Sequence, residues 1–275
     1  MRPHQYVKNI FIFLPMFFAL KITHTDLLLQ AFIAFIAFSL TASAIYILND
    51  YHDIEEDREH PKKRNRPLAS GAISKKEALG IMSILFLVGT LLMLSLSLQA
   101  TAILLSYIVM NIAYSFYLKH VAILDVTIIA IGFVLRLFIG SAVTGIALSM
   151  WIVIMTFLLA LFLALAKRRD DVLIYLSTGK KMRKVIDGYN LPFLDGAMMI
   201  MASVVIVAYT LYTTSTARYE HLYLTSLFVI LGIMRYLQIA FVEENSGSPT
   251  KIVLRDHFTQ LTLLGWILSF GWILY

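Results

Sequence analysis

The sequence predicts an all-α, polytopic membrane protein, and three observations carry that prediction. Of 275 residues, 59% are hydrophobic and 15% charged, where a soluble domain has roughly 45–50% and about 25%. The apolar residues fall in runs close to the roughly 20 residues that a spanning helix needs, divided by short polar breaks. The Lys and Arg residues gather in alternate breaks, the pattern that sets orientation in a bilayer. The chain has no Cys, which excludes disulfides, zinc–thiolate sites, iron–sulfur clusters and thiol nucleophiles. The net charge of +6 comes from loop cations between apolar segments, so it reads as membrane topology and no nucleic-acid partner is expected.

Nine runs are expected to span. The first, Ile10 to about Leu20, is short. Arg2, His4 and Lys8 ahead of it would suit a signal peptide, but Lys21, Ile22 and Thr23 offer no small-residue cleavage pattern, so it reads as a short or tilted span. The others are Leu27 to Leu48, Leu79 to Leu98, Ala100 to Leu118, Ile123 to Ala142, Ile146 to Ala166, Leu191 to Thr213, Leu222 to Val242 and Phe258 to Tyr275. With these nine, nineteen of the 23 Lys and Arg share one side, Lys21 and Arg218 lie on the other, and Arg136 and Arg235 fall inside helices. The N-terminus is therefore expected in the cytoplasm and the C-terminus outside. The polar stretches, about 49–76 and 167–190, are each shorter than a domain, so residues 1–275 read as one membrane domain with cytoplasmic active-site loops. Glu243 to Arg255, with Ser246, Gly247, Ser248 and Pro249, reads as a flexible loop.

The second run leaves the bilayer through Asn49, Asp50, Asp53 and Asp57. The three aspartates stand at i, i+3 and i+7, one face of a helix, where like charges repel unless a cation compensates them. Hard carboxylate oxygens with open positions suit Mg²⁺, which completes its shell with water and substrate phosphate. The chain then turns basic at Arg58, Lys62, Lys63, Arg64 and Arg66. Acid stripe and basic loop together read as a diphosphate clamp, in which Arg64 and Arg66 hold oxygens the metal does not reach.

This stripe, followed by Arg66-Pro67-Leu68-Ala69-Ser70-Gly71, resembles the first aspartate-rich motif of the UbiA superfamily of intramembrane prenyltransferases. The resemblance covers essentially the whole chain. It implies a bundle of nine transmembrane helices, a cytoplasmic active site open laterally to the lipid, and Mg²⁺ held by Asp50, Asp53 and Asp57 with Asn49 orienting.

Most members of that superfamily carry a second acidic pair at i, i+4 after the sixth helix. Here the run is Lys167-Arg168-Arg169-Asp170-Asp171, and adjacent carboxylates point about 100° apart on a helix, so the pair is not reproduced. A cationic triplet suits an anion not already neutralised by metal. Arg2-Pro3-His4-Gln5-Tyr6-Val7-Lys8-Asn9, the segment from Tyr114-Ser115-Phe116-Tyr117-Leu118-Lys119-His120 to Asp125, and Gly132-Phe133-Val134-Leu135-Arg136 are similar to the decaprenyl-phosphate phosphoribosyltransferase branch.

That likeness implies a metal-bound diphosphate belonging to phosphoribosyl pyrophosphate and a polyprenyl phosphate as lipid acceptor, in the plasma membrane of a bacterium. It assigns Lys167, Arg168 and Arg169 to the sugar 5-phosphate and Arg2, Lys8 and Lys119 to the lipid phosphate, and the reverse pairing also fits. Asp125 and Arg136, three turns apart on one span, should both face the bundle interior, as substrate contacts or as structural ion pairs. Tyr114 donates to a phosphate or sits in an interfacial aromatic belt. Two other functions stay open from the sequence: transfer of a polyprenyl group from its diphosphate to an aromatic or other small acceptor, and transport. Transport calls for ionisable groups near the midplane, whereas these concentrate at one face.

Overall fold

In the computed structural model, which describes residues 3–59, 63–181, 183–215 and 221–274, every regular element is a helix. Lipid offers no partner to a bare N–H or C=O, and a helix satisfies both internally. Eight segments among the described residues are long and apolar enough to cross a membrane: α2 (Thr25–His52), α4 (Lys75–Leu96), α5 (Leu98–Phe116), α6 (Leu124–Thr144), α7 (Met150–Thr178), α8 (Leu191–Ser215), Leu222–Phe241, which includes α9 (Ser226–Phe241), and α11 (His257–Leu274).

The remaining expected span takes another form. Pro3–Phe13 is a 3₁₀ helix of 11 residues, continued by α1 (Leu14–Phe18). At about 2.0 Å per residue in 3₁₀ geometry and about 1.5 Å in α, the two together extend about 30 Å, the depth of a hydrocarbon core. The short α3 (Ile54–Glu59) and α10 (Pro249–Arg255) complete the α-helices, with short 3₁₀ turns in the connections. α10 corrects the expected flexible loop at residues 243–255: Pro249 suits the first turn of a helix and Ile252 is buried under it. α7 is a second correction. It runs three turns beyond Ala166 and stops at Gly179, whose φ of 67° gives a left-handed cap, so Lys167, Arg168 and Arg169 lie on a helix and not in a loop.

The helices gather into two compact units. The first comprises residues 1–119 and 132–148. Its centre is α2, whose buried face carries Ala31, Ala34, Ala37, Ala42 and Ala44. Small residues let backbones approach in lipid, where van der Waals packing has to replace the hydrophobic drive. Phe38, Ile45, Met93, Leu104 and Ile139 fill the space around them.

The 3₁₀ segment is pinned to α2 and α6 by polar contacts. Asn9 donates to Ser39 Oγ at 2.8 Å and accepts from Arg136 Nε at 2.9 Å. Arg136 also donates to Gly132 O at 2.6 Å and packs over the Phe38 ring. Where this segment meets α6, a Cβ on Gly140 would overlap the backbone of Ile12. Backbone atoms cannot step aside as a side-chain tip can, so Gly140→Ala is expected to cost about 1–3 kcal/mol. Chemical denaturation in detergent followed by circular dichroism measures it, and an unchanged midpoint would show that the contact is not tight.

The second unit comprises residues 120–131 and 149–275. Its core packs Phe162, Leu165 and Val172 of α7 against Leu194, Met198 and Ala202 of α8 and Ile233, Tyr236 and Ile239 of α9. Arg235 of α9 reaches Asp256 at 2.6 Å, and Asp256 in turn accepts from Thr259, which ties α9 to the start of α11. The Arg235 hydrogen bond, with help from Thr259, holds the Asp256 carboxyl far below the usual carboxylate range.

Candidate active site

α2 ends at His52, and Asp53 caps it while keeping the helical ladder: Asp53 N donates to Asn49 O at 3.0 Å and Asp57 N to Asp53 O at 2.8 Å. Asp50 and Asp57 therefore share a face, as their spacing requires. A single atom, Nη1 of Arg66, lies 3.0 Å from Asp50 and 2.6 Å from Asp57. Asp57 is 1% exposed and Asp50 14%. A folded turn delivers Arg66 to them: Ser70 N donates to Arg66 O and Ile73 N to Pro67 O, while Leu68 packs with Ile54 and Ala78. Ser74 and Glu77 then close a reciprocal cap that starts α4.

Asp53 turns elsewhere. Its carboxylate accepts from Lys119 Nζ at 2.7 Å and from Asn49 Nδ2 at 3.1 Å, with His52 Nδ1 at 3.2 Å. Burial works to raise the Asp53 pKa, but the bonds to Lys119 and His52 outweigh it and hold the carboxyl below its usual range. The stability this pair contributes is thus present above the unfolded-state pKa of an aspartate and disappears only as pH falls through the lowered folded value.

In the structure Asp50 and Asp57 of the expected triad thus meet one cation and Asp53 another. Among the described residues no three acidic or histidine side chains converge on a single metal position. The donor set still fits a divalent ion. Arg66 Nη1 marks a point where positive charge sits between two anionic, hard oxygens, the environment that suits Mg²⁺. Arg64, two residues before Arg66, is exposed, and Lys8 and Tyr114 are half-buried on the N-terminal segment and on α5. Arg2, like Lys62, lies outside the described residues.

In the second unit the basic run of α7 is occupied from within. Arg168 is 1% exposed, its Nε on Asp125 and its Nη1 on Asp171 at 2.9 Å. Asp125, fully buried, also accepts from the Tyr189 hydroxyl at 2.6 Å, and that hydroxyl accepts from Ile123 N. Burial, reinforced by the Asp125 bond, pushes the Tyr189 phenol well above its ordinary value, so it remains a donor at any physiological pH. Asp171 is shared with Arg183 at 3.2 Å. Arg169 pairs with Asp195 at 2.7 Å, donates to Ala240 O at 2.7 Å and stacks on Phe241. Asp170 accepts from the backbone of Gly247, which approaches so closely that a Cβ there would overlap the carboxylate.

Arg168 and Arg169, expected at a sugar phosphate, are buried and paired within the unit. Their guanidiniums are spent on carboxylates and a carbonyl, and Lys167 is the half-exposed member of the run. Asp125 and Arg136 are both buried, as expected, Asp125 in an ion pair and Arg136 among neutral acceptors and aromatic rings. Sequence reasoning passed over Tyr189, Asp195 and Arg183. Nothing local marks the first two, whereas Asp171 at i+3 from Arg168 is a legible helical pair.

A family model described as the UbiA prenyltransferase family matches residues 10–269. A protein of Mycolicibacterium smegmatis named decaprenyl-phosphate phosphoribosyltransferase is 30% identical, the match covering 100% of this chain and 91% of that protein. One of the same name from Mycobacterium tuberculosis is also 30% identical, over 98% of this chain and 91% of the relative. Among solved structures, a UbiA homolog from Archaeoglobus fulgidus bound to DMAPP and Mg²⁺ superposes with a TM-score of 0.74 at 17% identity, covering 99% of this chain and 96% of the other.

Proposed function

This chain belongs to the UbiA prenyltransferase family, and from that premise we propose that it transfers 5-phosphoribose from phosphoribosyl pyrophosphate to a polyprenyl phosphate such as decaprenyl phosphate. The bond from ribose C1 to the pyrophosphate oxygen breaks, pyrophosphate leaves with the electron pair, and an oxygen of the lipid phosphate forms the new bond to C1. That oxygen is already ionised at neutral pH, so the residues here position and stabilise charge and no strong general base is required.

The observation that carries this reading is the fate of the second acidic pair. Asp171 is committed to Arg168 and Arg183, and Asp170 to Gly247. Asp50 and Asp57 share one partly exposed cation, Arg66, one position for one metal-bound diphosphate. The whole-length similarity to two proteins named decaprenyl-phosphate phosphoribosyltransferase supports the same substrates.

Asp50 and Asp57, with Asp53 and Asn49 beside them, would hold Mg²⁺, which when bound supplies a Lewis acid for the leaving pyrophosphate. Arg64 and Arg66 take diphosphate oxygens. Lys167 recognises the 5-phosphate, while Arg168, Arg169, Asp125 and Arg136 hold the helices in position around their buried charges. Arg2, Lys8 and Lys119 serve the lipid phosphate, with Tyr114 as a hydroxyl donor. The protein sits in a bacterial plasma membrane with its N-terminus cytoplasmic, its C-terminus outside and both basic loops cytoplasmic.

Purified protein given Mg²⁺, phosphoribosyl pyrophosphate and polyprenyl phosphate is expected to release pyrophosphate and to yield a lipid heavier by one phosphoribosyl group in mass spectrometry. Absence of that lipid, with consumption of polyprenyl diphosphate in the presence of an aromatic acceptor, would overturn the assignment.

A further inference from the structure

We propose that Arg66 is an exchangeable counter-cation: it bridges Asp50 and Asp57 and offsets their repulsion while the metal is away, and moves to phosphate oxygens when metal and diphosphate enter together. The inference rests on the reading of Asp50 and Asp57 as the metal-diphosphate site.

Two carboxylates that share one nitrogen, one of them almost fully buried, repel each other unless a cation lies between them. In this structure the guanidinium is that cation. A divalent ion and the guanidinium cannot occupy the same point, so binding one releases the other. Arg66 is built to be released. Its side chain is 23% exposed, about twice the 11% of Lys119 on Asp53, and both of its contacts run through one nitrogen. Its backbone, by contrast, is fixed by the 66–73 turn and by buried Leu68 and Ala69. A fixed Cα with a long, partly solvated side chain makes a pivot, able to redirect the charge without refolding the loop.

The destination decides the energetics. Metal alone displaces Arg66 into water and forfeits a short charge-assisted hydrogen bond. With diphosphate present, the displaced guanidinium finds phosphate oxygens, whose geometry its planar fork matches. Metal and diphosphate affinities are then coupled through one side chain, and the coupling is reciprocal. A residue that served only as a phosphate ligand would leave binding of the bare metal unaffected. One that served only the fold would shift both affinities downward.

Arg66→Gln separates these cases, with Mn²⁺ followed by electron paramagnetic resonance and inorganic pyrophosphate by calorimetry. At the strength of one charge-assisted hydrogen bond, the variant is expected to bind Mn²⁺ alone about tenfold more tightly than wild type and, at saturating Mn²⁺, pyrophosphate about tenfold more weakly. Arg66→Lys keeps the positive charge that the buried aspartates need and guards against loss of fold. Its compact ammonium should move both constants in the same directions by a smaller factor. Mn²⁺ affinity no tighter than wild type in the folded variants overturns the exchange even if wild type binds Mn²⁺ and pyrophosphate. Failure of wild type to bind either would remove the metal-diphosphate reading itself.

Discussion

Replacing Arg168 with Met is expected to lower stability by about 3–5 kcal/mol, the usual cost of stripping one partner from a buried ion pair. The guanidinium bridges Asp125, which has no exposure, and Asp171. Methionine fills much of the volume but leaves the buried Asp125 without its cation, with the Tyr189 hydroxyl as donor, while Asp171 keeps Arg183. The damage should extend beyond α7. Asp125 stands in the first turn of α6, and the Tyr189 hydroxyl that it orders also receives Ile123 N–H, so the entry to α6 and the approach to α8 depend on the same charge. Arg168→Lys should recover only part of the loss, because a single ammonium does not reproduce a fork reaching two carboxylates. Chemical denaturation followed by circular dichroism gives the stability, and steady-state kinetics the KM for phosphoribosyl pyrophosphate. A structural role lowers the first with little change in the second. Unchanged stability with a raised KM would return Arg168 to the phosphate.

The helices were legible because lipid imposes one rule, internal pairing of every backbone group, which composition can satisfy in only one way over a run of this length. Seven of the nine expected spans agree with the structure to within about four residues, the exceptions being the N-terminal run and α7. α7 outlasts its apolar run because a helix stops at a cap and not where hydropathy falls, and the marker, Gly179, was in the sequence. The N-terminal 3₁₀ form was not legible, since it depends on Gly140 and Arg136, well over a hundred residues away.

The site divides in the same manner. The common face of Asp50 and Asp57 follows from local spacing. That Arg66, sixteen residues on, supplies the cation between them depends on a turn whose closure takes Leu68 into a small apolar cluster. The basic run looked available because its carboxylate partner, Asp125, is forty-three residues away, and a linear reading counts charges without pairing them.

Asp50→Asn and Asp57→Asn are each expected to reduce turnover by at least about 100-fold, the scale of losing one preorganised electrostatic contact to developing charge. Repulsion within the acid stripe would suggest that either change also stabilises the metal-free protein. The geometry argues otherwise, since Arg66 already bridges both carboxylates and offsets part of their repulsion, and each substitution removes one of its two anchors. A small loss of stability is expected instead, greater for Asp57, whose contact is the shorter and more deeply buried. Because both aspartates hold one cation, their effects should not add: the double variant is expected to be no more than a few-fold slower than the worse single variant. Pyrophosphate release under saturating substrates measures turnover, with a circular dichroism melt of the same preparations to separate chemistry from folding. Activity above a tenth of wild type in both single variants would show that the cation between Asp50 and Asp57 belongs to the fold alone.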